Sequence, residues 1–113
     1  MTLGQKQRNF TMMISCLIYH AYNNGCELTF GDAYRDPRVH GQLGQKESYS
    51  SAYSNHKNRL AVDFNLFVEG EYITDGEHPK YVMLGEFWEG LGGAWGGRFN
   101  DANHFSIEHH GRK

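Results

Sequence analysis

Apolar positions along the chain follow two periods. Phe10, Met13, Ile14, Leu17, Ile18 and Ala21 recur at steps of three and four, the repeat of one helical face. Thr2 followed by Gln5 has the form of a capping box, and Asn23-Asn24-Gly25 is a natural stop. Together they predict a helix over residues 3–24. Residues 27–30 read as a strand. Over residues 60–68 the period falls to two. Leu60, Val62, Phe64, Leu66 and Val68 share one face; Ala61, Asp63, Asn65 and Phe67 share the other. The first set is core, so Asp63 lies on the less apolar face. Glu69-Gly70-Glu71 predicts a hairpin turn into Tyr72-Ile73-Thr74. Pro79 suits the first turn of a second helix with a buried stripe of Leu84, Phe87, Trp88 and Leu91, ended by Gly92-Gly93. After the glycine-rich turn Trp95-Gly96-Gly97-Arg98-Phe99, residues 104–108 predict a last strand. Phe105 and Ile107 point inward, and His104, Ser106 and Glu108 point to the opposite face. Residues 38–55 are polar and lack a period; they read as a long loop of the kind that carries function.

The order helix, strand, strand, helix, strand predicts an α+β fold, a small antiparallel sheet packed against two helices. A length of 113 residues gives one domain, 1–113, with one modest core. Hydrophobic residues at 39% and charged residues at 21% fit a folded chain. A formal net charge of −2 speaks against nucleic acid as a partner, because binding phosphates needs a clustered basic face. Residues 12–22 have some of the character of a secretory core segment, but they are short, contain His20 and lack a small-residue cleavage site. No segment predicts membrane insertion. The chain is expected to act as a monomer and to remain where it is made unless another factor exports it. Cys16 and Cys26 are expected to be reduced and mostly buried, because ten helical residues span roughly 15 Å, beyond the reach of a disulfide.

The candidate chemistry lies in two short stretches, one ending His56-Lys57-Asn58-Arg59-Leu60-Ala61-Val62-Asp63, the other Asn100-Asp101-Ala102-Asn103-His104. His56, Asp63 and His104 form a ligand set that suits Zn2+ and leaves a fourth position open. On one straight strand His56 and Asp63 would stand roughly 23 Å apart on opposite faces. They can share a metal only if Lys57-Asn58-Arg59 turns the chain. Asp101, in a polar turn, is placed to handle a proton, although Asn100-Asp101 also suits a β-turn by itself. A hydrolase needs positive charge near the developing oxyanion. Arg35 is the candidate, with an ion pair to Asp32 or Asp36 as the other reading; Arg59 and Arg98 are weaker choices. His20 reads as structural, His40 and His78 as loop residues, and His109-His110 as a polar tail. Tyr49 and Tyr53 fall in the long loop and could line a substrate groove.

Taken together, Ser54-x-His56 with Asp63 after Ala61-Val62, and Asp101-x-x-His104-Phe105, resemble the zinc D-alanyl-D-alanine carboxypeptidase and L-alanyl-D-glutamate peptidase family. Trp95-Gly96-Gly97-Arg98-Phe99 looks like the phage endolysin branch, and Tyr34-Arg35 precedes both motifs as the family's substrate-side arginine does. The resemblance runs from about Phe30 to Glu108. It implies a hedgehog/D-Ala-D-Ala-peptidase-like fold with Zn2+ held by His56, Asp63 and His104. It makes Asp101 the general base and lets Arg35 steady the substrate carbonyl. The implied partner is the peptide stem of bacterial peptidoglycan, cut between L-Ala and D-Glu. The implied setting is the host cytoplasm, with access to the wall through a separate membrane-permeabilising protein. A D-alanyl-D-alanine carboxypeptidase of the same fold, or a non-catalytic zinc-binding domain that recognises wall, are the other readings. Arg59 departs from the glycine of many relatives, and Asp101 stands where some carry Glu.

Overall fold

The computed structural model describes residues 1–31, 57–111 and 113. The first helix, α1, is Leu3–Asn23. Its start is the predicted capping box: the Thr2 hydroxyl accepts from the Gln5 N–H at 3.1 Å, and the Gln5 side chain accepts from the Thr2 N–H at 2.8 Å. Phe10, Met13, Leu17 and Ala21 are its buried residues. Cys16 falls on the other side and is exposed, so only Cys26 is a buried thiol; both are free. Burial pushes the Cys26 thiol up, against the opposing pull of the Lys80 ammonium.

The described strands form an antiparallel sheet centred on β2, Ala61–Val68. The second half of β2 pairs with β1, Cys26–Phe30, from Phe30↔Phe64 to Cys26↔Val68. Its other edge takes β3, Glu71–Tyr72, at one end and the C-terminal strand at the other. The β2–β3 turn is a two-residue one, with Glu69 at φ 53° and Gly70 at φ 79°, the left-handed pair that matches strand twist. The second helix, α2, is Pro79–Gly90. His78 is its N-cap, and the His78 Nδ1 accepts from the Lys80 N–H at 3.0 Å, a role beyond that of a loop residue. Then come β4, Ala94–Trp95, a 3-10 helix, Gly96–Phe99, and β5, His104–Ser106. The sheet order is β1-β2-β5-β4, an α+β arrangement as predicted. The short β4 was hidden in the sequence because two residues carry no period, and β5 is shorter than the expected 104–108.

Both helices join the sheet around Trp88, which is fully buried. Its ring meets Phe10 edge-on at 5.7 Å and Phe105 at 6.0 Å, and its indole N–H donates to the Ser106 carbonyl at 2.8 Å. The apolar ring is thus buried without stranding its one donor. The α2 stripe differs from expectation. Tyr81, Leu84, Gly85 and Trp88 are buried, Phe87 is half-buried and stacks on His20 at 3.9 Å, and Leu91 is exposed at the C-cap. Gly85 gives no hydrophobic signal, yet it is buried because the Trp95 indole lies on it. A Cβ there would stand 2.0 Å from Trp95 Cδ2. Ala61 and Ser106, opposite one another across the ladder, are also buried, so the face read as less apolar is covered at that end.

This contact yields a paired test in urea denaturation. Gly85→Ala is expected to lose about 1–3 kcal/mol by overpacking against Trp95. Gly90→Ala, on the same helix with open space around it, is expected to gain about 0.5–1 kcal/mol.

Candidate metal centre

Antiparallel pairing of β2 with β5 places Val62 opposite Phe105 and Asp63 opposite His104. Directly opposed residues share a face, with Cβ atoms about 5 Å apart. Because Val62 and Phe105 are buried core, Asp63 and His104 must share the other face. The His104 Nδ1 lies 3.5 Å from Asp63 Oδ1 and 4.0 Å from Asp101 Oδ2. The three side chains offer ligand atoms within 4.8 Å of one another, the one such group of His, Cys, Asp and Glu among the described residues. His109 and His110 belong to no such group; Lys6 Nζ meets His109 Nδ1 at 3.0 Å, and burial and the neighbouring charges lower that imidazole's pKa.

Exposure divides these residues. The side chains of His104 and Asp63 are 9% and 15% exposed, whereas that of Asp101 is 52% exposed. Two donors on one tetrahedral zinc, each about 2.0–2.1 Å from it, stand roughly 3.4 Å apart. The observed 3.5 Å between His104 Nδ1 and Asp63 Oδ1 fits that separation. The Asp63 and Asp101 carboxylates, with ligand oxygens within 4.8 Å of one another, repel by about 1–3 kcal/mol over effective dielectric constants of 80 to 20, which a cation between them offsets. Donor chemistry and spacing therefore fit a divalent metal, and they put Nδ1, not Nε2, of His104 on the ligand side.

The turn bearing Asp101 is built by its neighbours. Asp101 N–H donates to the Gly96 carbonyl at 2.8 Å, and His104 N–H donates to the Asp101 carbonyl at 3.0 Å. Trp95 Nε1 donates to the Ala102 carbonyl at 2.7 Å, tying the turn to the indole that rests on Gly85. Gly96 allows the approach: a Cβ there would fall 2.1 Å from the Asp101 carbonyl oxygen and 2.6 Å from His104 Cβ. Along the chain Trp95-Gly96-Gly97 reads only as part of a turn. The signal it held was a tryptophan followed by two residues without side chains. Phe99 carries no comparable signal, and its ring meets the His104 imidazole at 5.7 Å.

Among the other candidates, Arg98 is engaged elsewhere. It donates to both Glu89 oxygens, at 3.0 and 2.7 Å, and lies over the Trp95 ring. The hydrogen bond from Arg98 holds the Glu89 carboxyl below its ordinary range. Arg59 closes a turn at residues 57–59 with φ 58°, so the chain does turn between His56 and Asp63. A left-handed backbone there is one that glycine adopts without steric cost. Beneath the site, burial raises the Tyr81 phenol, whose hydroxyl donates to the Phe64 carbonyl at 3.4 Å. His56 and Arg35 lie outside the described residues, as do Tyr34, His40, Tyr49, Tyr53 and Ser54.

A largely buried imidazole–carboxylate pair beside a solvent-reaching carboxylate suits a metal-dependent hydrolase. The sequence profile of the family described as D-alanyl-D-alanine carboxypeptidase matches residues 48–107. That is just over half of the 113 residues, and the chain belongs to this family of metal-dependent peptidases acting on peptidoglycan. The matched stretch contains His56, Asp63, Asp101 and His104 and begins after Arg35. No curated protein sequence matches closely enough to narrow this further. No helix among the described residues is long and apolar enough to cross a membrane.

Two outcomes are expected here. Asp63→Ala and His104→Ala should each weaken zinc binding in calorimetric titration by at least the roughly 10–100-fold that loss of an outer-shell partner costs; unchanged affinity would remove that residue from the ligand set. Arg59→Gly should raise stability by about 0.5–1 kcal/mol, the relief of left-handed strain less the added backbone entropy of glycine.

Proposed function

We propose that the protein is a zinc-dependent endolysin that hydrolyses the L-alanyl-D-glutamate amide in the peptide stem of bacterial peptidoglycan. The observation that carries the reading is the cross-strand pairing of Asp63 with His104, with Asp101 at 4.0 Å on the solvent side of the same imidazole. His56, Asp63 and His104 would hold the zinc. When bound, the metal supplies Lewis acidity that acidifies a water and polarises the amide carbonyl. Asp101 takes the water's proton on its carboxylate as the new C–O bond forms. It then gives that proton to the amine nitrogen as the C–N bond breaks. Its exposure supports this role over that of a third buried ligand. Arg35 would sit by the carbonyl oxygen and steady the charge that develops there. The protein works as a monomer and reaches the wall from the host cytoplasm once a separate protein has permeabilised the membrane.

The description of the matched family favours a second reading, a D-alanyl-D-alanine carboxypeptidase with the same residues in the same roles. The two differ only in which amide the groove accepts. Digestion of purified peptidoglycan with and without a chelator, read by mass spectrometry, separates them. New amino-terminal D-Glu is expected, and it should vanish with the chelator; release of D-Ala alone would reject the endolysin in favour of the carboxypeptidase. Asp101→Ala is expected to lose about 10²–10⁴ in rate while still binding one zinc per chain. An Asp101→Ala protein that retained full activity would reject Asp101 as the base, and one that lost the metal would make it a ligand.

A further inference from the structure

Phe99 stands out among the large apolar residues on the surface. It is 47% exposed, yet its ring meets His104 at 5.7 Å with planes 62° apart, an edge contact. The His104 Nδ1 faces Asp63 and Asp101, so Phe99 bounds the same imidazole. Its position is rigidly determined. It ends the 3-10 helix Gly96–Phe99, whose first residue packs on the Asp101 carbonyl and His104 Cβ. Arg98, next to it, is clamped by Glu89 and Trp95, and Asn100 after it turns the chain with φ 62°. A short, anchored element thus holds an aromatic ring half in water at the edge of the candidate centre. Packing against His104 accounts for one side of the ring; the ring also borders a cavity shared with Trp95, Arg98 and Glu89, and about half of it stays open to solvent.

We propose that Phe99 is a specificity-determining wall of the substrate groove. It presents its open face to the small aliphatic side chain next to the scissile amide, while its inner edge meets His104. The inference rests on the peptidase reading for the identity of the substrate. Its physical content is apolar contact: a peptide methyl laid on the ring leaves water together with the ring face. Such contact is made equally before and during reaction, so it appears in substrate affinity and not in turnover.

The test compares Phe99→Ala and Phe99→Trp with the parent protein, using a synthetic stem peptide that begins L-Ala-D-Glu. Steady-state kinetics of the zinc-loaded proteins is one arm. NMR titration of the same peptide into metal-free protein is the other. Phe99→Ala is expected to raise KM and to weaken metal-free binding by about five- to tenfold, with kcat and zinc affinity held within about threefold, and Phe99→Trp to restore binding to within about threefold of the parent. Peptide binding within about twofold of the parent in Phe99→Ala would overturn the proposal. So would a fall in kcat and zinc affinity at unchanged KM, which would leave the ring only a support for His104. If the parent cleaves no peptide but binds it in a Phe99-dependent manner, the peptidase reading fails and the wall stands.

Discussion

The antiparallel register between β2 and β5 governs this molecule. One alignment sets Val62 against Phe105 on the core face and Asp63 against His104 on the other. A slip of one residue would turn Val62, Phe64 and Leu66 out to solvent and drive Asp63 into the core. Each fully buried side chain of that kind is worth about 1.5–3 kcal/mol, and an unpaired buried carboxylate costs more. The geometry of the candidate centre is therefore inherited from the hydrophobic core. The two side chains meet at 3.5 Å because their neighbours in sequence are buried.

Two tryptophans connect that core to the candidate centre. Trp88 fills the centre and anchors β5 through the Ser106 carbonyl. Trp95 rests on Gly85 of α2 and holds the Ala102 carbonyl, one residue from Asp101. Each indole donates its single N–H to a backbone carbonyl, so each orients a strand or turn while burying apolar area. The small residues Gly85 and Gly96 are where these rings and turns come close enough to lock. The Glu89–Arg98 pair adds a clamp outside them, between the end of α2 and the 3-10 helix. The turn carrying Asp101 is thus supported from three sides, although its carboxylate faces water.

The site combines groups with opposite needs. Ligands are best buried, where competition with water is weak and rotamers are fixed by packing. A proton acceptor must reach water and the leaving group. On the proposed reading, His104 and Asp63 meet the first need from strands, His104 at the start of β5 and Asp63 within β2, and Asp101 meets the second from a tight turn three residues before His104. Strand rigidity and turn exposure supply this division without any additional device.

Much of this was legible along the chain. Period-two alternation over 60–68 assigns Asp63 its face, and the Phe105–Ile107 alternation does the same for His104. The Thr2–Gln5 box and Pro79 mark both helix starts, since capping is a local matter of donors and acceptors. The turn expected at Lys57-Asn58-Arg59 is present, with Arg59 left-handed where glycine would be easier. Glycine contacts were illegible, because a residue without a side chain has no hydropathy to repeat. Gly85 and Gly96 matter only for what lies against them. The exposure of Cys16, the capping role of His78 and the edge contact of Phe99 on His104 were illegible because each depends on what stands beside the side chain in the fold and not on its own polarity. The sequence by itself determined the elements, their inward faces and the residue types able to hold a metal, because periodicity and capping are local. Only the tertiary structure decided the β2–β5 register, the Trp95 contacts and the separation of the buried Asp63–His104 pair from the exposed Asp101, because these depend on segments distant in the chain packing without voids.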